Sequence, residues 1–367
     1  MIYLTHYRTA YSTTVELMEG VFPQKVHWFP ETYARVNSGM FYVPHRVADK
    51  VLDPVLAKEL RENPVGKTAF ILAGGNSHFA GINPRSKDPT RLSYEYQFLS
   101  FTLTQVYAGR TAQALGATDH VVTDATACAS SLKALMDVQT LINHYGFKRV
   151  VVLTVEDAVT NSVLEFFGEA KASLTKKEED LGILPSAFDE TNYGFYVGQG
   201  AALAVFESSD VSENPLAILK SAYTASEDHS NAIGQREDGQ GFIRAIEGAL
   251  EIACIPAESI SIVKTHGTGT KSNNVAEKAA LAYTLDRYVA TSYKQKIGHT
   301  MGASGLLETL LLIDNILSDE IVPCIANRTT YDEVFLSEDV KVPQGDILTL
   351  AAGMGNVYSA AVLSLEI

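Results

Sequence analysis

Short apolar runs rich in β-branched residues alternate with stretches of helical periodicity from residue 68 to the end of the chain. "TAFILAGG" (68–75), "DHVVTDA" (119–125) and "RVVVLTVED" (149–157) read as largely buried strands, the pattern of a sheet covered by helices. Between them, "YEYQFLSFTLTQVYAGRTAQAL" (94–115) is helix-like, and the stretch after Cys128 places Leu132, Leu135, Leu141 and Ile142 near one helical face. "GFYVGQGAALAVFES" (194–208) reads as a strand, a glycine turn or bulge, and a second strand. The charged segment 171–193 reads as an excursion over the surface, and residues 1–65 give no interpretable pattern.

After Ser208 the alternation restarts. "PLAILKSAYTA" is a strand, "GFIRAIEGALEIA" a helix, "SISIVKTHGTGT" a strand entering a loop, and "AEKAALAYTL" and "ASGLLETLLLIDNIL" helices. "DILTLAAG" and "NVYSAAVLSLEI" are the last strands. Two halves with similar element order, 1–208 and 209–367, predict an α/β fold with an internal duplication, although no residue-level repeat is visible. No Pro/Gly/Ser-rich linker separates the halves, which predicts a common core.

The 367 residues are 46% apolar and 20% charged, the composition of a compact soluble protein. No apolar run approaches the ~20 residues needed to span a bilayer. The opening residues lack a basic segment followed by an apolar core, so no secretory signal is expected. Cys128, Cys254 and Cys324 are odd in number and widely spaced, which disfavours a disulfide framework or a cysteine zinc site and predicts a cytoplasmic protein without a metal. A net charge of −14 disfavours nucleic acid and anionic membranes as partners. Lys148–Arg149, Lys171, Lys176 and Lys177 are candidates for a local basic patch, or are solvated surface charge.

The chemistry-bearing stretches lie at element ends. In "TDATACASSLKAL" (123–135) Cys128 stands between a strand and a helix among small residues, where helix N–H groups favour a thiolate and a substrate can approach. A buried structural cysteine is the alternative reading. In "KTHGTGTKSNN" (264–274) His266 ends a strand and opens a Gly/Thr loop, and in "SYKQKIGHTMGASGLLETL" (292–310) His299 sits among small residues before an apolar helix. Either histidine alone is as compatible with a structural role. Together with the cysteine they form a set in which a thiolate takes an acyl group and imidazoles handle a proton or stabilise an enolate oxygen.

These stretches resemble the β-ketoacyl-acyl carrier protein synthases, the ketosynthases of the thiolase superfamily. "TACASSL" (126–132) is similar to their nucleophile motif, "THGTGT" (265–270) to their first histidine motif, and "KQKIGHTMGASG" (294–305) to their Lys-x4-Gly-His segment. "FDETNYGFYVGQGAALAVFE" (188–207) and "AAGMGNVYSAAVLSL" (351–365) are similar to their mid-chain strands and C-terminal glycine turn, so the resemblance runs from about residue 119 onward. It implies a thiolase-like five-layer α/β/α/β/α fold, usually dimeric. Cys128 would be the acylated nucleophile, and His266 and His299 would decarboxylate a malonyl thioester and stabilise the enolate. Lys294 and Glu308 would be the active-site lysine and its acidic partner, or a charge pair ordering the loop. The backbone N–H groups of Cys128 and Met354 would form the oxyanion hole. Thr268 and Thr270 would bind phosphopantetheine or simply stabilise their loop.

The resemblance further implies an acyl carrier protein as partner, no cofactor beyond the phosphopantetheine that arrives with it, and a homodimer or a heterodimer with a ketosynthase-like subunit. Two histidines point to elongation, and the intact cysteine separates the chain from non-catalytic chain-length subunits. Asn273–Asn274, Gln199 and Met354 depart from the family pattern, which points to specialised fatty-acid or type II polyketide synthesis. A non-elongating acyltransferase or thioesterase, and a non-catalytic partner subunit, are the competing readings.

Overall fold

A computed structural model describes residues 1–11, 51–75, 104–156, 158–159, 161–174, 187–188, 194–318 and 345–366. The strands are β1 (Ile2–Tyr11), β2 (Thr68–Ala73), β3 (His120–Asp124), β4 (Arg149–Glu156), β5 (Gly200–Ser208), β6 (Ala217–Ser226), β7 (Ile260–Lys264), β8 (Val289–Thr291), β9 (Asp346–Gly353) and β10 (Val357–Ser364). The helices are α1 (Pro54–Glu62), α2 (Thr104–Leu115), α3 (Ser130–Tyr145), α4 (Asn161–Glu169), α5 (Gln240–Ala253), α6 (Lys271–Thr284), the single turn α7 (Lys294–Ile297) and α8 (Ser304–Leu317).

Strand order runs β3-β2-β4-β5-β1-β6-β10-β9-β7-β8. The first five strands, in their own chain order, lie 3-2-4-5-1, and the second five lie 1-5-4-2-3, the same order read from the opposite end. The two sets meet where Ile2–Leu4 of β1 pair antiparallel with Leu219–Ala217 of β6. β1, in the stretch whose sequence showed no pattern, therefore opens the fold at its centre, held along its other edge by β5.

Alternation along the strands separates the layers. In β4, Val150 and Val152 face a core shared with Leu132 and Leu135 of α3 and Leu307 and Leu310 of α8. Val151, Leu153 and Val155 face a second core with Leu56 and Leu60 of α1 and Ala108 and Leu115 of α2. In β9, Ile347 and Ala351 face the α3/α8 core while Leu348, Leu350 and Ala352 face Phe242 and Ile246 of α5 and Ala280 and Leu281 of α6. The five layers are α1/α2, the first half-sheet, α3/α8, the second half-sheet, and α5/α6. α8 is apolar nearly all round because it lies in the middle layer.

Several expectations need correction. Residues 194–208 form one strand, β5, not two: the preceding residues make only isolated bridges, Ser173 with Phe195 and Val197 with His299. They lie along the 297–299 loop, where Gly198 N donates to the His299 carbonyl at 2.8 Å and His299 N to the Tyr196 carbonyl at 2.7 Å. A side chain on Gly198 would meet the Ile297 carbonyl, so a strand with alternating side chains does not fit there. The 171–193 excursion enters the core at Ala187 and Phe188, whose backbone N–H donates to Asn274 Oδ1 at 3.1 Å. Arg149 is buried and paired with Glu207 at 2.7 Å, so it is not part of a surface patch, whereas Lys148 pairs with Asp210 at 2.6 Å on the surface. Lys176, Lys177, Cys324 and 94–103 of the expected helix lie outside the described residues.

Candidate active site

Cys128 occupies a one-turn 3-10 helix, Ala127–Ala129, that joins β3 to α3. Ala127 has a positive φ of 49°, the sharp reversal that lifts the following residue out of the strand. Ser130 stabilises the reversal: its Oγ donates to the Ala127 carbonyl at 2.6 Å and accepts from Thr126 N at 2.9 Å. The same turn recurs before α8, where Met301–Ala303 form a 3-10 turn and Met301 has φ 46°. Thr126-Ala127-Cys128-Ala129-Ser130 and Thr300-Met301-Gly302-Ala303-Ser304 are thus one motif in two copies, with Gly302 where the first copy has its cysteine. This residue-level repeat is short enough to escape notice in the sequence.

The two copies meet in the middle layer. Leu306 N donates to Ser131 Oγ at 3.0 Å, and a Cβ on Gly305 would lie 2.6 Å from Leu132 Cγ, so the helix starts approach closely. Glu156, at the end of β4, binds both sides of this junction through one oxygen, accepting a short hydrogen bond from Gly75 N and a second, at 3.2 Å, from Gly302 N. The sequence reading did not single out Glu156. Its position at the carboxyl end of a buried strand was the available signal.

The Cys128 thiol is nearly buried, in an apolar cluster with Phe167, Phe195, Val197 and Met301, against which Met354 packs. The expected helix-stabilised thiolate is not what the surroundings favour. Burial pushes the thiol up to about 12, the Glu156 carboxylate adds to this, and Lys294 only partly opposes it. At neutral pH the Cys128 sulfur is therefore a protonated thiol.

His266 follows β7 in a tight loop with Gly267 and Gly269 at φ 53° and 75°. Glu277 of α6 fixes the loop: its carboxylate accepts from His266 N at 2.5 Å, Gly267 N at 2.9 Å and Asn273 Nδ2 at 2.8 Å. Asn273 and Asn274, which depart from the family pattern, are thus buried hydrogen-bonding partners. His299 Nδ1 lies 2.9 Å from Ser304 Oγ, and its ring stands edge-on to Phe195 at 4.8 Å. The two imidazoles lie 5.6 Å apart, centroid to centroid, at 80°. His266 Nδ1 has no hydrogen-bond partner among the described residues.

Lys294 Nζ binds Glu308 Oε1 at 2.7 Å, and Glu308 Oε2 faces a second buried lysine, Lys264, at 3.9 Å. Burial holds both histidines well below their usual value, with Lys294 as the next cause for each. Both are therefore neutral imidazoles at pH 7, able to donate one hydrogen bond or accept a proton. Thr268 and Thr270 are paired through their hydroxyls at 3.0 Å, in the loop whose Gly269 carbonyl accepts from Gly194 N at 3.0 Å. Gly353 is seated on the nucleophile turn: a Cβ there would lie 2.5 Å from the Thr126 carbonyl and 3.3 Å from Ala129 N. The turn containing Met354 thereby adjoins the turn containing Cys128. His266 adjoins His299, and Phe195 joins His299 to the Cys128 cluster, while Thr268 and Thr270 lie in the loop that follows His266.

Comparison with known proteins agrees with this geometry. The model described as "Beta-ketoacyl synthase, N-terminal domain" matches residues 55–211, and that described as "Beta-ketoacyl synthase, C-terminal domain" matches 216–328. The 3-oxoacyl-[acyl-carrier-protein] synthase 2 of a Synechocystis strain is 28% identical over 251 residues, 65% of this chain and 58% of that protein. The chain spans less than two thirds of the length of this relative and of two Streptomyces ketoacyl synthases, 65% and 58% for the latter. A ketosynthase in complex with its chain length factor from Xenorhabdus doucetiae matches 99% of this chain, with TM-score 0.76, 18% identity and 97% of that chain covered. A type II ketosynthase solved with its acyl-carrier protein matches with TM-score 0.73 and 20% identity, covering 99% of this chain and 98% of that one.

Proposed function

The chain belongs to the beta-ketoacyl synthase family, and we propose that it joins an acyl group carried on Cys128 to a malonyl unit delivered by an acyl carrier protein. The observation that carries this reading is the pair of neutral, near-perpendicular imidazoles 5.6 Å apart, with Phe195 linking His299 to the Cys128 cluster. In the first half-reaction the thiol proton passes to an imidazole, sulfur attacks the incoming thioester, and the carrier thiol leaves with a proton. The N–H groups of Cys128 and Met354 would hold the oxyanion. In the second, the malonyl carbon–carboxylate bond breaks to release carbon dioxide. His266 and His299 would donate to the resulting enolate oxygen, each such donor being worth about 3 kcal/mol. The enolate carbon attacks the Cys128 thioester, the carbon–sulfur bond breaks, and the departing thiolate takes up one proton from solvent. Lys294 and Glu308 set the charge around the histidines, and Thr268 and Thr270 would meet the phosphopantetheine arm.

The setting we infer is type II polyketide or specialised fatty-acid synthesis. The complexes with an acyl-carrier protein and a chain length factor support these two kinds of partner, carrier and ketosynthase-like subunit. No cofactor of the protein's own enters this chemistry. We place the enzyme in the cytoplasm: Cys128 and Cys254 are free thiols, and no helix among the described residues is long and apolar enough to cross a membrane. The division into 1–208 and 209–367, one half bearing the cysteine and the other both histidines, is part of the same reading.

The test supplies acyl- and malonyl-carrier proteins to the purified chain, alone and with candidate partner subunits. An acyl adduct on Cys128, and carbon dioxide release that disappears in His266→Ala and His299→Ala, are the expected results. No adduct under any pairing favours a non-catalytic subunit. An adduct without carbon dioxide release favours a non-elongating acyltransferase.

A further inference from the structure

Lys264 is a fully buried lysine with no part in the chemistry above. On β7, Ile262 faces the middle-layer core and Val263 the opposite one, so strand alternation returns Lys264 to the middle layer, alongside α8. The apolar cluster of that layer is mostly Leu, Ile, Val and Ala. Its Nζ donates to the Leu350 carbonyl of β9 at 2.8 Å and faces Glu308 Oε2 at 3.9 Å. The other Glu308 oxygen binds Lys294 at 2.7 Å. Two lysines and one glutamate form a buried row two residues from His266.

We propose that Lys264 is a positioning residue for decarboxylation: it holds the second oxygen of Glu308 against β9 and so keeps Lys294 in register with His266 and His299. The proposal rests on the condensing-enzyme reading above. An ammonium at this depth carries a desolvation cost, and exchanging a whole buried ion set for apolar side chains is often neutral or stabilising, so packing alone does not account for it. Its charge acts on both imidazoles in the direction that keeps them neutral. The charged groups around it are Glu308 of α8, Lys294 of α7 and Glu277 of α6, and burial draws Lys264 itself down to about 8.

The test compares the two half-reactions of wild type and Lys264→Met. Expected are a lowered melting temperature, because one partner of a buried charged set is lost, Cys128 acylation in the folded variant changed less than twofold, and carbon dioxide release from malonyl-carrier protein slowed about tenfold. The acid limb of the release rate should move up by roughly one pH unit, because losing a neighbouring cation makes an imidazole easier to protonate. Unchanged release, or equal loss in both half-reactions, overturns the proposal. Wild type inactive in both half-reactions would instead overturn the condensing-enzyme reading. If Lys264→Met does not fold, Lys264→Gln, whose amide can still donate to Leu350, carries the same comparison. Nitrogen-15 imidazole spectra of the wild type and the folded variant then give an independent outcome: an imidazole titration moved upward in the variant supports the proposal, and an unchanged one overturns it.

Discussion

The Phe195 ring stands edge-on to the His299 imidazole at 4.8 Å and belongs to the apolar cluster that encloses Cys128. It ties the orientation of one imidazole to the walls of the thiol pocket. Phe195→Ala should therefore slow carbon dioxide release more than Cys128 acylation, and the cavity should separately cost roughly 3–5 kcal/mol of folding stability. Phe195→Leu should restore most of the stability but not the release rate. Half-reaction assays beside thermal melts check both.

The protonation state of Cys128 has a direct readout. A thiol held near 12 is almost wholly protonated at neutral pH, so iodoacetamide should alkylate it slowly at pH 7 and progressively faster well beyond the usual thiol range. Glu156→Gln keeps an oxygen acceptor for Gly75 N and Gly302 N but removes the negative charge, so alkylation at fixed pH should accelerate. Mass spectrometry of the Cys128 peptide over time measures each rate.

Acid should weaken the fold through the histidines. Both have folded-state values well below 6.5, so the unfolded chain binds protons first as pH falls. In the window from about 6.5 down to the folded values, stability rises with pH and is lost on acidification. Urea unfolding across that window should show this slope, and His266→Asn with His299→Asn should flatten it.

Glu277 is predicted to be needed as a carboxylate. Its two oxygens accept from three donors, and in Glu277→Gln one oxygen becomes an NH2 group facing N–H donors. A loss of about 2–3 kcal/mol is expected. Melting curves should show it, together with slower carbon dioxide release as the His266 loop loosens.

Gly198→Ala tests the contact between the bridge-forming segment and the second histidine loop. A methyl group there meets the Ile297 carbonyl, and the strain should cost about 1–3 kcal/mol. Because Gly198 N binds the His299 carbonyl, decarboxylation should fall along with the melting temperature.

The strands buried on both faces were readable from their β-branched runs, and Cys128, His266 and His299 from their place at element ends among small residues. β1 escaped because "IYLTHYRTAY" mixes polar and apolar residues where it faces only partly buried surroundings. The false strand over 194–199 arose because apolar alternation cannot reveal that a glycine lies against another loop's carbonyl. Lys264 and Glu156 escaped for a different reason: each looks like ordinary strand-end polarity until the opposite half of the molecule is brought against it. The helix terminus that favours a thiolate is local in sequence, whereas the apolar cluster and Glu156 that push the Cys128 thiol the other way are distant.

The twin turns at Thr126–Ser130 and Thr300–Ser304 carry a lesson about division of labour. One twin presents sulfur; the other has given up its side chain at the matching place, and the Glu156 carboxylate occupies the space beside that bare backbone. The two copies are held together at their helix starts, where Leu306 N donates to Ser131 Oγ, so under the proposed function the chemistry would sit at the seam between them.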